Sequence, residues 1–146
     1  MEKRRIGLQL RLLSNLINRQ INTGDVFKQM HELTGTHGYI VKYLMDHRDE
    51  EVFQRDIERT FSIRRSTASG ILNLMEKNGL IKRESVQEDA RLKKLVLTAK
   101  AIDLSNRITK ELENKEQQMT KGLTEQELDT FLSVLGKIKA NLEEQC

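Results

Sequence analysis

Proline and tryptophan are absent from this sequence of 146 residues, and cysteine occurs once, as Cys146. A single cysteine excludes an intrachain disulfide and a cysteine metal cluster, and it favours a cytoplasmic setting. The lack of proline is consistent with long uninterrupted helices, because proline breaks a helix interior. No apolar run approaches the roughly 18 residues of a membrane span, and Met1–Arg5 lacks the apolar stretch of a secretory signal. We therefore expect a cytoplasmic protein that does not enter a membrane.

No charge of one sign dominates the chain, whose net charge is +3 with 32% charged and 37% hydrophobic residues. This length and composition suit a single globular domain over residues 1–146. The distribution of charge is more informative. Residues 55–94 carry ten Lys and Arg against six Asp and Glu, whereas residues 101–146 carry six against nine. Ordinary solvated faces or a nucleic-acid partner for the basic stretch would both account for this imbalance.

Apolar residues recur at helical spacing near both ends of the chain. The first stripe lies within residues 4–22 and comprises Ile6, Leu10, Leu13, Ile17 and Ile21. The last follows a capping box at Thr124–Glu127 and comprises Leu128, Phe131, Leu132, Leu135, Ile138 and Leu142. One small central core can hardly bury both stripes, so we predict a homodimer in which the two ends pack against a second copy. A monomeric helical core is the alternative.

Three consecutive helices are predicted in the middle of the chain. Thr34–Thr36 offers a hydroxyl cap for a helix that carries Tyr39 and Tyr43, and Val52-Phe53 is a short extended piece before a short helix. Ser62 is a good cap for the third helix, over about 63–78. The inner face of that helix is expected to comprise Ala68, Ile71, Leu72 and Met75.

A glycine and a hairpin follow the third helix. Gly79 is typical of a helix end with a left-handed cap. Strands are predicted at Leu80–Val86 and Leu92–Leu97, joined by the five-residue polar tip Gln87–Arg91. Thr98 would then cap a long helix that runs to about residue 120.

Polar and basic residues occupy the first turns of the predicted helix 63–78. The second helix of a helix-turn-helix needs such residues, because its backbone must approach base edges in the major groove. Arginine can bridge guanine O6 and N7, while Ser, Thr and Asn can bind bases or phosphates. The candidate DNA-binding residues of this helix are Arg64, Arg65, Ser66, Thr67, Ser69 and Asn73. A plain amphipathic surface helix is the alternative.

The hairpin completes a winged-helix arrangement. Arg91 at its tip is long enough to enter a minor groove, where narrow width concentrates negative potential. Asp89 is expected to hold Arg91 in place, and Lys93 and Lys94 are expected to face phosphates from the flank of the wing. A solvated hairpin with routine charges is the alternative.

Four segments together carry a family resemblance, namely Ser66–Ser69, Leu74–Ile81, Asp89–Arg91 and Leu95–Thr98. With these segments the sequence resembles the MarR (multiple antibiotic resistance regulator) family of bacterial transcription factors. The resemblance implies a mainly α fold with a small β-hairpin wing. It places a winged-helix DNA-binding lobe at about 34–98 and dimerisation helices at about 1–24 and 99–146.

The same resemblance implies a function, although the sequence departs from the family pattern at two positions. The implied function is a sequence-specific transcriptional regulator, more often a repressor, that binds a pseudo-palindromic operator in double-stranded DNA as a homodimer. Gly70 stands where many members have an arginine, and Ala101 replaces a common glycine. The first departure removes one expected DNA contact.

A small-molecule effector is a further implication of the resemblance. Members often lose DNA affinity when an aromatic or other anionic ligand binds between the DNA-binding lobe and the dimer helices. Here His37, Tyr39 and Tyr43 could border such a cleft, although tyrosines at helical spacing are more often core residues. Thiol sensing is not expected from Cys146, which lies far from the first helix in sequence, whereas a disulfide between the two Cys146 of a dimer stays open.

No cofactor, metal site or catalytic site is predicted. His31, His37 and His47 form no dense ligand cluster with acidic residues, and the chain has no Gly-rich phosphate loop or nucleophile motif. We therefore predict a regulator and not an enzyme. A winged-helix protein–protein adaptor without DNA binding is the alternative, but it would not need the basic residues of the helix and the wing.

Overall fold

The structure is a computed structural model that describes residues 4–21 and 35–145. Its elements within those ranges are α1 (Ile6–Ile21), α2 (Gly35–Asp46), α3 (Gln54–Thr60), α4 (Arg65–Lys77), β1 (Ile81–Val86), β2 (Asp89–Leu97), α5 (Ala99–Thr120) and α6 (Glu125–Glu143). The predicted mainly α fold with a small β-hairpin is confirmed. None of these helices is long and apolar enough to cross a membrane.

The chain divides into two compact units, one ending at Glu113 and the other beginning at Asn114. Apolar side chains from α2, α3, α4, the hairpin and α5 form one core in the first unit. The largest fully buried side chains are Ile40, Val41, Ile57, Leu72, Met75, Leu80, Ile81 and Ile108. Burying one such side chain contributes roughly 1.5–3 kcal/mol, and this core holds α4 and the hairpin together.

The start of α4 differs from the prediction that Ser62 caps it. Ser62 has φ 52° and ends α3 instead, since the amide of Ser62 donates to Arg59 O and the amide of Ile63 donates to Glu58 O at 3.0 Å. This bonding pattern closes a helix around a residue in the left-handed conformation. The next helix therefore begins only at Arg65, with an extended Arg64 (φ −76°, ψ 158°) at its N-cap.

The end of α4 agrees with the prediction from Gly79. This glycine has φ 74°, and the amides of Gly79 and Leu80 donate to Glu76 O at 3.0 Å and Met75 O at 2.9 Å. The Thr98 hydroxyl donates to Gly79 O at 2.6 Å and accepts from the Ala101 amide at 3.2 Å. Thr98 thus caps α5, as expected, and also ties its start to the end of α4.

The wing is an antiparallel pair whose register changes near the tip. Strands β1 and β2 pair regularly from Ile81 opposite Leu97 to Ser85 opposite Lys93, and the next pair is Val86 with Asp89. The expectation of a five-residue tip is therefore wrong, because β2 already begins at Asp89 and the turn holds Gln87 and Glu88 alone. Residues 90–92 leave the regular ladder as an irregular bulge.

The predicted extended piece before α3 lies beside the wing. The carbonyl of Val52 accepts from the Leu95 amide at 2.7 Å, and Phe53 forms an isolated antiparallel bridge with Lys94. These contacts fix Phe53, the N-cap of α3, against β2. The helix-turn-helix and the hairpin are therefore linked through the backbone as well as through the core.

Helices α1 and α6 each expose a row of large apolar side chains. On α1 the exposed members are Ile6, Leu8, Leu12, Leu13 and Leu16. On α6 they are Phe131, Leu132, Val134 and Leu142, and Leu132 and Leu142 are each 63% exposed. Helix α6 begins at the predicted cap, because Thr124 Oγ1 accepts from the Glu127 amide at 3.1 Å. Rows of this kind on two helices are unusual for a surface that meets only water.

Candidate nucleic-acid interface

Helix α4 divides into a buried side and an exposed side. Ala68, Leu72 and Met75 are fully buried, and their spacing of three and four residues places them on one side of the helix. The opposite side carries four exposed residues at the same spacing, Ser66, Gly70, Asn73 and Lys77. This exposed side presents hydroxyl, amide and ammonium groups, which are the groups that contact bases and phosphates in a major groove.

One flank of α4 is fixed by a glutamine from α3. The Nε2 of Gln54, at the start of α3, donates to Ser69 Oγ at 2.9 Å and to Arg65 O at 3.4 Å. Ser69, which is half-buried, therefore uses one acceptor position within the protein, and its hydroxyl hydrogen is left for another partner. Arg65 remains exposed. The other flank carries the exposed Thr67, and Arg64 is exposed at the N-cap.

A concavity of about 440 Å³ lies between α3, α4 and the wing. Its charged lining consists of five cations and one carboxylate, Arg55, Arg65, Arg83, Arg91, Lys93 and Glu58. We call this surface the basic concavity. Clustered cations raise the local potential, which attracts a polyanion and holds it. The basic concavity brings together Arg65, Ser69, Arg91 and Lys93 from the predicted site.

Arg55 and Arg83 of the basic concavity are each held by a neighbouring side chain. The guanidinium of Arg55 lies over the Phe53 ring at 5.1 Å from its centroid. Arg83 Nη1 lies 2.9 Å from Glu76 Oε1 and so joins β1 to α4. Both arrangements keep a long side chain in a restricted position, which lowers the entropy lost when a ligand binds.

The predicted wing residues are organised around the bulge of β2. Asp89 Oδ1 accepts from the backbone amide of Arg91 at 2.9 Å, so the carboxylate of Asp89 shapes the backbone that carries Arg91. Lys93 Nζ donates to Ser85 Oγ at 2.5 Å across the hairpin. Arg91 and Lys93 are both exposed, and they lie on the same side of the wing as the basic concavity.

Lys94 lies elsewhere. Neighbouring residues of a strand point to opposite faces, and Lys94 lines a second concavity of about 240 Å³ on the other side of the wing, together with His47, Arg48, Glu50 and Glu84. The expectation that Lys93 and Lys94 share one flank is therefore corrected. Strand alternation could have shown this from the sequence.

The three predicted effector residues do not share one side of α2. His37 is 4% exposed and lies on the side of the helix that carries the buried Ile40 and Val41. Tyr39, two residues further along, lies on roughly the opposite side of the helix from His37, and both Tyr39 and Tyr43 are half-buried against the edge of the core. The ring of Tyr43 stacks on His47 with centroids 4.1 Å apart. Neither concavity described above is lined by any of these three residues.

The predictions made for His31 and Cys146 concern residues outside the described ranges. Within residues 4–21 and 35–145, no group of three or more His, Cys, Asp or Glu side chains is arranged to hold a metal ion.

Three residues of the interface were missed by the sequence interpretation, namely Gln54, Arg55 and Arg83. Arg55 and Arg83 belong to the basic stretch 55–94, but the sequence gives no indication of which side they face. Gln54 acts through α4, because its side chain bonds Ser69, which is 15 residues away along the chain.

Comparisons with known proteins agree with this geometry. Residues 31–92 match the family described as the MarR family. The transcription regulator MarR from Oenococcus oeni PSU-1 is 34% identical, with 92% of this chain and 98% of that chain covered and a TM-score of 0.78. The S. aureus MepR–DNA complex is similar in fold, at 22% identity, with 97% of this chain and 99% of that chain covered and a TM-score of 0.83.

A curated relative supports the same grouping. An uncharacterized HTH-type transcriptional regulator, YybA of Bacillus subtilis (strain 168), is 23% identical over 140 residues, which cover 96% of this chain and 87% of that protein. The motifs, the winged-helix fold and these similarities lead to one conclusion: the chain belongs to the MarR family of transcription regulators.

Proposed function

We propose that this regulator is a repressor that binds a pseudo-palindromic operator in double-stranded DNA as a homodimer. In each protomer α4 enters the major groove, and the wing brings Arg91 to the neighbouring minor groove. The observation that carries the proposal is the basic concavity, where α3, α4 and the wing contribute five cations against one carboxylate. Four of these cations, Arg55, Arg65, Arg91 and Lys93, remain in excess of Glu58 even though Arg83 is paired with Glu76. A groove with this excess of positive charge suits a phosphate backbone.

The roles of individual residues are proposed from their positions. Arg65, Ser66, Thr67, Ser69 and Asn73 are proposed to read bases or bind phosphates in the major groove, Arg91 to enter the minor groove, and Arg64 and Lys93 to bind phosphates. Gln54 is proposed to orient α4, because it bonds both Arg65 O and Ser69 Oγ. The similarity in fold to MepR, whose structure is that of a complex with DNA, supports the use of this fold in DNA binding.

The homodimer is proposed from the exposed apolar rows of α1 and α6. Residues 1–24 and 99–146 are proposed to supply the dimer contacts, and residues 34–98 the DNA-binding lobe. Two half-sites one helical turn apart, or a multiple of it, would then match the twofold symmetry of the protein. Effector binding at His37, Tyr39 and Tyr43 stays a prediction, and because these residues lie on two sides of α2, one small ligand is not expected to contact all three directly.

Fluorescence anisotropy tests the proposal. Purified protein is titrated into a labelled duplex from upstream of its own gene and into a scrambled duplex, at several salt concentrations. We expect tighter binding to the upstream duplex, two chains per duplex and a steep salt dependence, about 0.9 log unit per log unit of salt for each phosphate contact. Equal, steep binding to both duplexes would place the operator elsewhere. Absence of binding at moderate salt would favour the protein–protein adaptor.

A further inference from the structure

A glycine lies at the centre of the exposed side of α4. Gly70 is the sixth of the thirteen residues of this helix, and it is exposed. Ser66 precedes it by one turn and Asn73 follows it by nearly one turn on the same side. The helix backbone is therefore bare at the point where this side would come closest to a partner.

The fold of the free protein gives no reason for glycine at this position. A Cβ atom built on Gly70 would meet nothing within 4 Å, and the backbone does not adopt a positive φ there. Gly79 is different, because its φ of 74° favours glycine. In a helix interior glycine lowers stability relative to alanine, because it loses more backbone freedom on folding. Gly70 is thus a position where the chain is less stable than it could be.

A partner that needs the space can account for this glycine. The proposed function places the floor of the major groove opposite Gly70, and the inference rests on that function. Within the helix the amide and carbonyl of Gly70 are directed along the axis into helical hydrogen bonds. The group it offers sideways is its Cα methylene, which neither donates nor accepts. The C5-methyl of thymine is the apolar group that a standard base pair presents in the major groove.

We propose that Gly70 is a specificity-determining residue. It lets α4 sit deeper in the major groove than a helix with a side chain at this position, and the vacated space receives the C5-methyl group of a thymine in each half-site. Ser66 and Asn73 then reach the base pairs on either side. Specificity at the central pair arises from shape and apolar contact instead of a hydrogen bond.

The alanine variant of Gly70 tests the inference against a purely structural role. Gly70→Ala should raise the unfolding temperature by about 3 °C, because alanine has the higher helix propensity and its Cβ would meet nothing within 4 Å. The same variant should weaken binding to the tightest duplex selected by the wild type from a randomised pool, by about tenfold, since an added methyl overpacks the contact.

Thymine substitution identifies the contacted base. Each thymine of the selected half-site is replaced in turn by uracil, which lacks only the C5-methyl. At one position the wild type should lose about fourfold in affinity, the value of one buried methyl group, whereas Gly70→Ala should lose nothing or bind more tightly. This reversal between protein and DNA variants would locate the methyl group opposite Gly70.

Three results would overturn the inference. Unchanged affinity of Gly70→Ala for the selected duplex would show that the space is not used. A lower unfolding temperature of Gly70→Ala would show that the fold itself needs the glycine. Equal uracil effects on the wild type and the variant would remove the thymine contact. Failure of the wild type to bind any duplex is a separate outcome, which would overturn the proposed function and this inference with it.

Discussion

At the scale of single residues, Arg91 is an exposed side chain near the tip of the wing. It leaves a bulge of β2 that Asp89 holds through the backbone amide, so its guanidinium can extend away from the wing. We expect Arg91→Ala to weaken operator binding by about 1–3 kcal/mol, as for a good groove contact. Anisotropy measures the affinity, and light scattering should show an unchanged dimer. An unaltered affinity would exclude the wing from DNA binding.

Lys93 and Lys94 form a matched pair of neighbours on opposite sides of the same strand. Lys93 borders the basic concavity, while Lys94 lines the second concavity. Lys93→Ala should reduce the salt slope of DNA binding by about 0.9 through the loss of one phosphate contact. Lys94→Ala should leave the slope unchanged. Equal reductions for the two variants would contradict this division of the wing.

At the scale of elements, the ends of α3 and α4 share one backbone arrangement with different residues in the left-handed position. Gly79 ends α4 with φ 74°, and Ser62 ends α3 with φ 52°. Gly79→Ala should lower the free energy of unfolding by about 1 kcal/mol, because a Cβ is unfavourable in this conformation. Urea denaturation measures the change. Ser62→Gly is the control and should raise stability, and a change of the same sign in both variants would refute the explanation.

Element boundaries were predictable where one turn of chain decides them. Gly79, Thr98 and Thr124 were each assigned correctly, since a cap depends on residues three or four positions away. Ser62 was assigned to the wrong helix, because a serine between two helices can cap the start of the second or close the end of the first. Here the tight turn after α3 places Ser62 at the end of α3. Sequence pattern carries no information on that turn.

The positions of side chains between elements were less predictable. The bond from Gln54 to Ser69 joins two helices, and neither residue type nor spacing indicates it. Asp89 and Arg91 were predicted in a loop but lie in strand β2, because a turn of two residues closes the hairpin. The roles proposed for the interface residues therefore depend on packing that appears only in three dimensions.

At the scale of the whole molecule, membership of the MarR family confirms the prediction of a transcription regulator and not an enzyme. The proposed dimer adds a test of assembly. Phe131 lies within the exposed apolar row of α6, whereas Ser133 lies roughly half a turn away on the polar side of the helix.

Phe131→Lys should therefore give a monomer in light scattering and weaken operator binding by at least tenfold, because one half-site is lost from each complex. Ser133→Lys introduces the same charge on the same helix and should leave both the mass and the affinity unchanged. A Phe131→Lys protein that stays dimeric would place the interface outside this row.

Hydrogen–deuterium exchange with and without operator duplex tests whether α4 and the wing form the DNA-binding surface. Exchange of backbone amides should slow on DNA binding in two segments, residues 53–77 and 81–95, which hold the basic concavity and the exposed side of α4. Protection confined to other parts of the chain would show that DNA binds elsewhere. Absence of any protection when the protein is saturated with duplex would have the same meaning.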